Sequence, residues 1–290
     1  MQILANGITA GLTTALLAVA FAIVYLPTRI FYIALGGVYV LASYVALSVT
    51  QTTGSFTVGT IAAVATGVIL SVGCELLNHA PLDKRGASMG AHLIASLGLY
   101  IIFVQTAALT WGENTRTLPS SNAEMSLTIW EVSLDSAQVL GASVSLITLA
   151  LFFIWLNFSN LGLQFRALAD NAKELSLRGF SIRNLRMLAF GISGGLASVS
   201  AVLTSYDVGF NPHVGLSALL IAIVAAIIGG RFTFLGPIIG ALLLEVVRAE
   251  VAWIFSSRWQ EVATFVILIA FLYARPQGII NRSSRVESEA

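Results

Sequence analysis

The stretch LANGITAGLTTALLAVAFAIVYL, residues 4–26, carries no charged side chain. A helix rises 1.5 Å per residue, so about 20 apolar residues cross the roughly 30 Å hydrocarbon core of a bilayer. Stretches of similar character recur along the chain at residues 4–26, 30–50, 56–77, 87–110, 136–156, 185–205, 214–230, 232–255 and 261–273. They predict an all-α integral membrane protein, a polytopic bundle of about nine transmembrane helices, with eight to ten also possible.

Composition agrees with this fold class. Hydrophobic residues make up 57% of the 290 residues and charged residues only 10%, too few to cover a water-soluble fold. A transmembrane β-barrel would show short alternating segments, whereas these stretches are long and continuous. We expect one transmembrane domain over residues 1–290, with 214–230 as the span best suited to be re-entrant.

The basic residues predict the orientation. If the amino terminus lies outside, one set of loops holds twelve of the fifteen lysines and arginines. That set comprises Arg29, Lys84, Arg85, Arg166, Lys173, Arg178, Arg183, Arg186, Arg231, Arg275, Arg282 and Arg285. Positively charged loops stay cytoplasmic, so we expect an inner (plasma) membrane protein with its amino terminus outside and its carboxyl terminus in the cytoplasm.

The loop over residues 111–135 falls on the opposite, outer side and is acidic. It carries Glu113, Glu124, Glu131 and Asp135 against Arg116 alone. Either it is a plain solvated loop, or it receives an extracytoplasmic partner.

The segment 157–186 is the one long, densely charged loop on the cytoplasmic side. Within it, Asp170 is a suitable N-cap, residues 171–178 suit a helix of two turns, and Gly179 suits the left-handed stop. A helix this short is marginal in water, which favours docking against a partner. An amphipathic connector on the membrane surface is the alternative, because Arg166, Lys173 and Arg178 also suit lipid phosphates.

Three blocks of sequence resemble a known family. They are RALADNA at 166–172 with LRGFSIRNLRMLAFGISGGLA at 177–197, LGPIIGALLL at 235–244, and RPQG at 275–278. In this order they are similar to permease subunits of the branched-chain amino-acid ABC importers.

The resemblance implies several partners. They are a second permease subunit, two cytoplasmic ATP-binding subunits and an extracytoplasmic substrate-binding protein, besides membrane lipid. It also implies that the loop helix couples the permease to the ATPases. The residues expected to do so are Arg166, Asp170, Asn171, Lys173, Glu174, Arg178 and Gly179.

The second span departs from the family pattern. Such permeases usually begin this span with a motif like Asn-x-Ala-His-Gly-Glu, where this chain has YIALGG at 32–37. The change removes groups that would contact a polar ligand or a neighbouring helix. Gly36 and Gly37 either line a substrate path with free backbone groups or allow close helix packing.

Arg248 is a charged residue inside the eighth span, and Glu245 lies one helical turn before it. A charge at a helix centre costs about 2.5–3.5 kcal/mol on insertion scales, so we expect the two side chains to pair. A place beside the permeation path is the second expectation for Arg248.

Neither a catalytic nor a metal site is expected. His79, His92 and His213 fall in separate loops or spans without metal-ligand spacing, and no phosphate-binding loop is present. The net charge of +1 does not suggest nucleic acid. We therefore expect a transport subunit without a cofactor rather than an enzyme. The resemblance implies that it imports branched-chain or other hydrophobic amino acids by alternating access.

Two other functions stay open. Related permeases carry urea or short amides. An ion-coupled secondary transporter would need titratable groups in its spans, for which Glu75, Glu245, Arg248 and Glu250 are the few candidates.

Overall fold

The computed structural model describes residues 1–118, 127–129, 132–230, 233–275 and 278–280, without the side chains of Lys173, Val132 and residues 127–129. Several residues named above lie outside this description: Glu124, Glu131, Arg231, Pro276, Gln277, Arg282 and Arg285.

The described chain is almost entirely helical. Its helices are α1 (Gln2–Thr28), α2 (Ala34–Thr53), α3 (Phe56–Cys74), α4 (Ala80–Lys84), α5 (Met89–Trp111), α6 (Ser136–Phe158), α7 (Asn160–Asp170), α8 (Ala172–Leu177), α9 (Ile182–Asp207), α10 (Val214–Gly229), α11 (Gly236–Ile254) and α12 (Trp259–Ala274). A π-helical turn, Glu75–His79, joins α3 to α4 without a break. Two short strands, β1 (Leu127–Ile129) and β2 (Val132–Leu134), pair antiparallel.

The all-α membrane fold is confirmed, but the count of nine spans is not. Among the described residues, six helices are long and apolar enough to cross a bilayer, and α10 and α12 are shorter apolar helices. Each of the nine predicted stretches does overlap a helix. With 16 residues, α10 is about 24 Å long, short of a full hydrocarbon core.

Helix α1 forms the centre of the bundle. It is apolar on every side and therefore buries a broad surface against α6, α9, α10 and α11. Gly7 and Gly11 let α11 approach closely, since an added Cβ would lie 2.8 Å and 3.0 Å from the Cα atoms of Val246 and Leu242. These two glycines thus pack helices together, as small residues do in membrane bundles.

The outer helices α3, α5 and α6 keep most of their apolar surface exposed. In the most apolar 18-residue stretch of each of these helices, only 28%, 22% and 28% of the residues are buried, against 72% in α1. Exposed side chains such as Ile61, Ile94 and Leu151 suit contact with lipid or with another membrane chain.

The two ends of the bundle differ in charge. One end, here the basic end, carries the turn between α4 and α5, helices α7 and α8, and the start of α9. The opposite end carries the strand pair, whose Ser133 exchanges two hydrogen bonds, of 2.7 and 2.8 Å, with the side chain of Gln2. There Arg116 and Phe210 also form a backbone bridge, which ties the end of α5 to the end of α9.

Candidate functional site

The charged segment at the basic end contains two helices, α7 and α8. Helix α7 was not predicted; Ser159 caps it by accepting a hydrogen bond from Gly162 N at 2.9 Å. The predicted N-cap was wrong by one residue, because Asp170 ends α7 and Asn171 caps α8. The Asn171 side chain accepts from Glu174 N at 3.1 Å.

Helix α8 does not stand free of the protein. Its Leu175 packs with Leu168 of α7 and Leu185 of α9 in a small buried cluster separate from the main core. On the other side of α8, Leu177 is 82% exposed, and Phe180 beyond it is 40% exposed.

Most other residues predicted in this segment lie on its surface. Glu174 and Arg178 pair at 2.6 Å on the exposed face of α8, and Gly179 ends the turn with φ +84°. Arg166 on α7 bonds to Asn157 at 3.3 Å instead of joining that face. Ser181 caps α9 by accepting from Asn184 N at 3.4 Å.

Arg186, in the first turns of α9, fastens this segment to the bundle. Its Nε lies 2.8 Å from Oε1 of Glu75, and its Nη2 donates to Oε2 at 3.2 Å. It also pairs with Asp83 of α4. Glu75 is only 1% exposed, so Arg186 neutralises a deeply buried carboxylate. Both charges were evident in the sequence, but their pairing was not predicted.

His79 and His92 also meet here, contrary to the expectation that they lie apart. Their Nδ1 atoms are 3.2 Å apart, and His92 Nε2 lies 3.3 Å from Asp83. If His92 donates from Nε2 to Asp83, its Nδ1 must accept, so His79 donates. The signal was present in the sequence, since the two residues flank Gly86 at seven and six positions, as partners across a helical hairpin do.

The divergent motif at 32–37 was expected to lack groups that contact a neighbouring helix, and Tyr32 shows that this expectation was partly wrong. Its hydroxyl lies 3.0 Å from Ser71 Oγ on α3, and its ring packs edge-on against His79 and Phe190. Tyr32 therefore makes a polar contact with a neighbouring helix.

Gly36 and Gly37 lie in the first turn of α2 and make close helix contacts. An added Cβ would lie 2.8 Å from Gly215 O at Gly36 and 2.7 Å from Phe103 Cβ at Gly37. Both glycines are buried. These contacts favour the packing interpretation for the pair.

A cavity of 390 Å³, here the Arg248 cavity, opens between the helices on the side of the bundle opposite the basic end. Residues with hydroxyl groups line it from four helices, including Thr14, Tyr39, Ser200 and Ser217, together with four charged side chains. An adjoining space of 370 Å³ shares part of this lining, including Asp207 and Glu245. Neither Gly36 nor Gly37 lines the Arg248 cavity.

The predicted pair of Glu245 and Arg248 is confirmed. Arg248 Nη1 donates to Glu245 Oε1 at 2.8 Å, and both side chains are nearly buried. Thr14 of α1 donates to the same oxygen at 3.0 Å, which links α1 to α11 across the cavity. Thr14 was not singled out in the sequence.

The described residues contain no group of three or more His, Cys, Asp or Glu side chains placed to hold a metal ion. His213 lies away from the other two histidines, at the start of α10.

The sequence comparison agrees with the blocks quoted above. Residues 3–272 match the family model described as "Branched-chain amino acid transport system / permease component". The chain is 30% identical to the high-affinity branched-chain amino acid transport system permease protein BraD of Pseudomonas aeruginosa, covering 97% of this chain and 96% of the relative. It is 29% identical to LivH of Escherichia coli, again covering 97% and 96%.

Among solved structures, the chain is similar in fold to one from PsaBC of Streptococcus pneumoniae in complex with a Fab. The TM-score is 0.55 at 11% identity, covering 94% of this chain and 91% of the other. At this identity the likeness concerns the fold alone.

Proposed function

The chain belongs to the family of permease components of branched-chain amino acid transport systems, and from this premise we propose that it is the transmembrane subunit of an ATP-driven importer for branched-chain or other hydrophobic amino acids. The match over residues 3–272 carries this proposal. It takes in both the charged segment at the basic end and the helices around the Arg248 cavity.

The charged segment is the proposed contact with two ATP-binding subunits. The chain has no phosphate-binding loop of its own, so the nucleotide must be hydrolysed on other chains. Helix α8 offers them an anchored element, held through Leu175 and carrying exposed Leu177. The pair of Glu174 and Arg178 adds charge on the same exposed helix.

Arg186 connects the proposed contact surface to the bundle, so that a movement of α8 would be transmitted to the transmembrane helices. Only four residues separate the end of α8, at Leu177, from the start of α9, at Ile182. A shift of α8 would move the cluster of Leu175 and Leu185 and, with it, the two carboxylates that Arg186 holds. Packed elements of this kind respond as units, which suits alternating access.

The remaining partners follow from the orientation. With the basic end in the cytoplasm, the amino terminus is outside and the carboxyl terminus inside the plasma membrane. A substrate-binding protein then delivers cargo to the opposite end, where the Arg248 cavity opens. The exposed apolar faces of the outer helices offer surface for a second permease subunit and for lipid.

The test is amino acid uptake by the chain reconstituted with its permease partner, ATPases and binding protein. We expect leucine uptake that requires ATP and continues when the ion gradients across the membrane are collapsed. Uptake that follows an ion gradient and ignores ATP would instead identify a secondary transporter. Uptake of urea but not of leucine would identify the other cargo.

The coupling role has its own variants. Asn171→Ala with Gly179→Ala removes the cap of α8 and strains its left-handed stop, where alanine costs roughly 1–2 kcal/mol. We expect ATP hydrolysis to persist while leucine uptake falls. Gly86→Ala is the matched control, because Gly86 also has a positive φ, of +65°, at the basic end but lies outside the segment. Equal uptake in the two variants would argue against coupling through α8.

A further inference from the structure

The Arg248 cavity holds an arginine whose hydrogen-bonding capacity is only partly used. Among the described residues, its guanidinium makes one hydrogen bond, from Nη1 to Glu245. Its Nε is buried without a partner. A guanidinium has five N–H donors in a planar fork, and leaving a buried donor unsatisfied is costly. A planar acceptor in the cavity would relieve this cost.

The acidic side chains of the cavity lie in two places. Glu245 is buried beside Arg248 and accepts from it, whereas Asp207 and Glu261 are exposed at the ends of α9 and α12. With Arg248 as the one cation among the described lining residues, the lining has a formal charge of −2. The deep part therefore offers the guanidinium donors that the pair with Glu245 leaves unused, and the rim offers anions.

The rest of the lining suits a small amphipathic ligand. Leu17, Leu203 and Ile221 supply apolar surface, and Ser200 and Thr204 supply hydroxyl groups. The volume of 390 Å³ lies within the range of about 300–1,000 Å³ typical of small-molecule sites.

We propose that the Arg248 cavity binds the zwitterionic head group of an α-amino acid, with Arg248 holding the carboxylate and the acidic rim of Asp207 and Glu261 holding the ammonium group. This rests on the proposed function for its substrate class and assigns the recognition step to this chain itself. Arginine suits the carboxylate because it offers parallel N–H donors to both oxygens. The apolar wall then receives the aliphatic side chain.

The test is equilibrium binding to the purified full chain in lipid nanodiscs, with no binding protein present. Three probes that share the isobutyl group are compared by calorimetry: leucine, isopentylamine, which lacks the carboxylate, and 4-methylpentanoate, which lacks the ammonium group. We expect leucine to bind at least about tenfold more tightly than either analogue, since each loses one charge-assisted contact.

Arg248→Gln should bring leucine binding down to that of isopentylamine. Because this variant leaves Glu245 buried without its cation, Glu245→Gln with Arg248→Gln is the second variant, and it should show the same loss. Arg258→Gln is the matched control, since Arg258 is exposed at the same end and does not line the cavity. Its leucine binding should equal that of the unaltered chain.

Binding of isopentylamine as tight as that of leucine would overturn the proposal and mark the cavity as a cation site. So would leucine binding unchanged in the double variant, or leucine binding absent from the unaltered chain. In each case ATP-driven leucine uptake by the reconstituted system would still support the proposed function. Loss of that uptake with zwitterion binding intact would refute the function and not the site.

Discussion

Replacing Arg186 with glutamine should destabilise the protein more than any change at its exposed partner. Arg186 meets Glu75 at two points, 2.8 and 3.2 Å, and Glu75 is only 1% exposed. Removing the cation leaves this carboxylate buried and unpaired, which costs about 3–5 kcal/mol of unfolding free energy. Asp83, whose side chain is 44% exposed, keeps access to solvent, so Asp83→Asn should cost about 1 kcal/mol or less.

The assay is unfolding of the purified chain in mixed micelles, followed by tryptophan fluorescence. Glu75→Gln combined with Arg186→Gln removes both buried charges and should recover most of the stability lost in Arg186→Gln alone. A double variant as unstable as the single one would refute the role of the unpaired Glu75 carboxylate. That role is equally refuted if Asp83→Asn destabilises the chain as much as Arg186→Gln.

The other predictions concern packing, the divergent motif and orientation. Gly7→Leu should lower the unfolding free energy by about 1–3 kcal/mol because α11 packs against that position. Gly98→Leu is the control and should change the unfolding free energy little, since nothing lies within 4 Å of a Cβ added there. Equal effects of the two changes would contradict the close packing at Gly7. Tyr32→Phe removes the hydroxyl bond to α3 and should cost about 1 kcal/mol in the same assay, and no loss would contradict that contact. A cysteine at Glu113 should react with an impermeant maleimide in intact cells, and one at Lys84 only after permeabilisation; the opposite pattern would reverse the orientation.

Much of the fold was predictable because hydropathy acts locally. Each apolar stretch is long enough by itself to predict a helix that spans the membrane. The Glu245–Arg248 pair was predictable because residues three positions apart lie on the same helix face. Helix α7 was missed because its apolar residues alternate between a buried face, with Phe165, and an exposed one, with Leu163. Mean hydropathy does not distinguish such a segment from a loop.

The network around Arg186 was not predictable in the same way. Glu75 and Arg186 are 111 residues apart, so only tertiary packing brings them together. The Arg248 cavity has the same character, since its polar lining comes from several helices that each look apolar in sequence. The pair His79 and His92 stands between these cases, because the turn at Gly86 already places them opposite each other.

The central claim, that ATP-hydrolysing subunits drive the bundle through α8, is tested most directly by site-specific photocross-linking in native membranes. A photoreactive amino acid replaces Glu174, whose side chain is 56% exposed on α8, and a control replaces exposed Glu113 at the opposite end. We predict that the probe at 174 forms an adduct with a chain that contains a phosphate-binding loop and that the probe at 113 does not. Adducts of the 174 probe with lipid alone, in membranes that import leucine, would contradict the account.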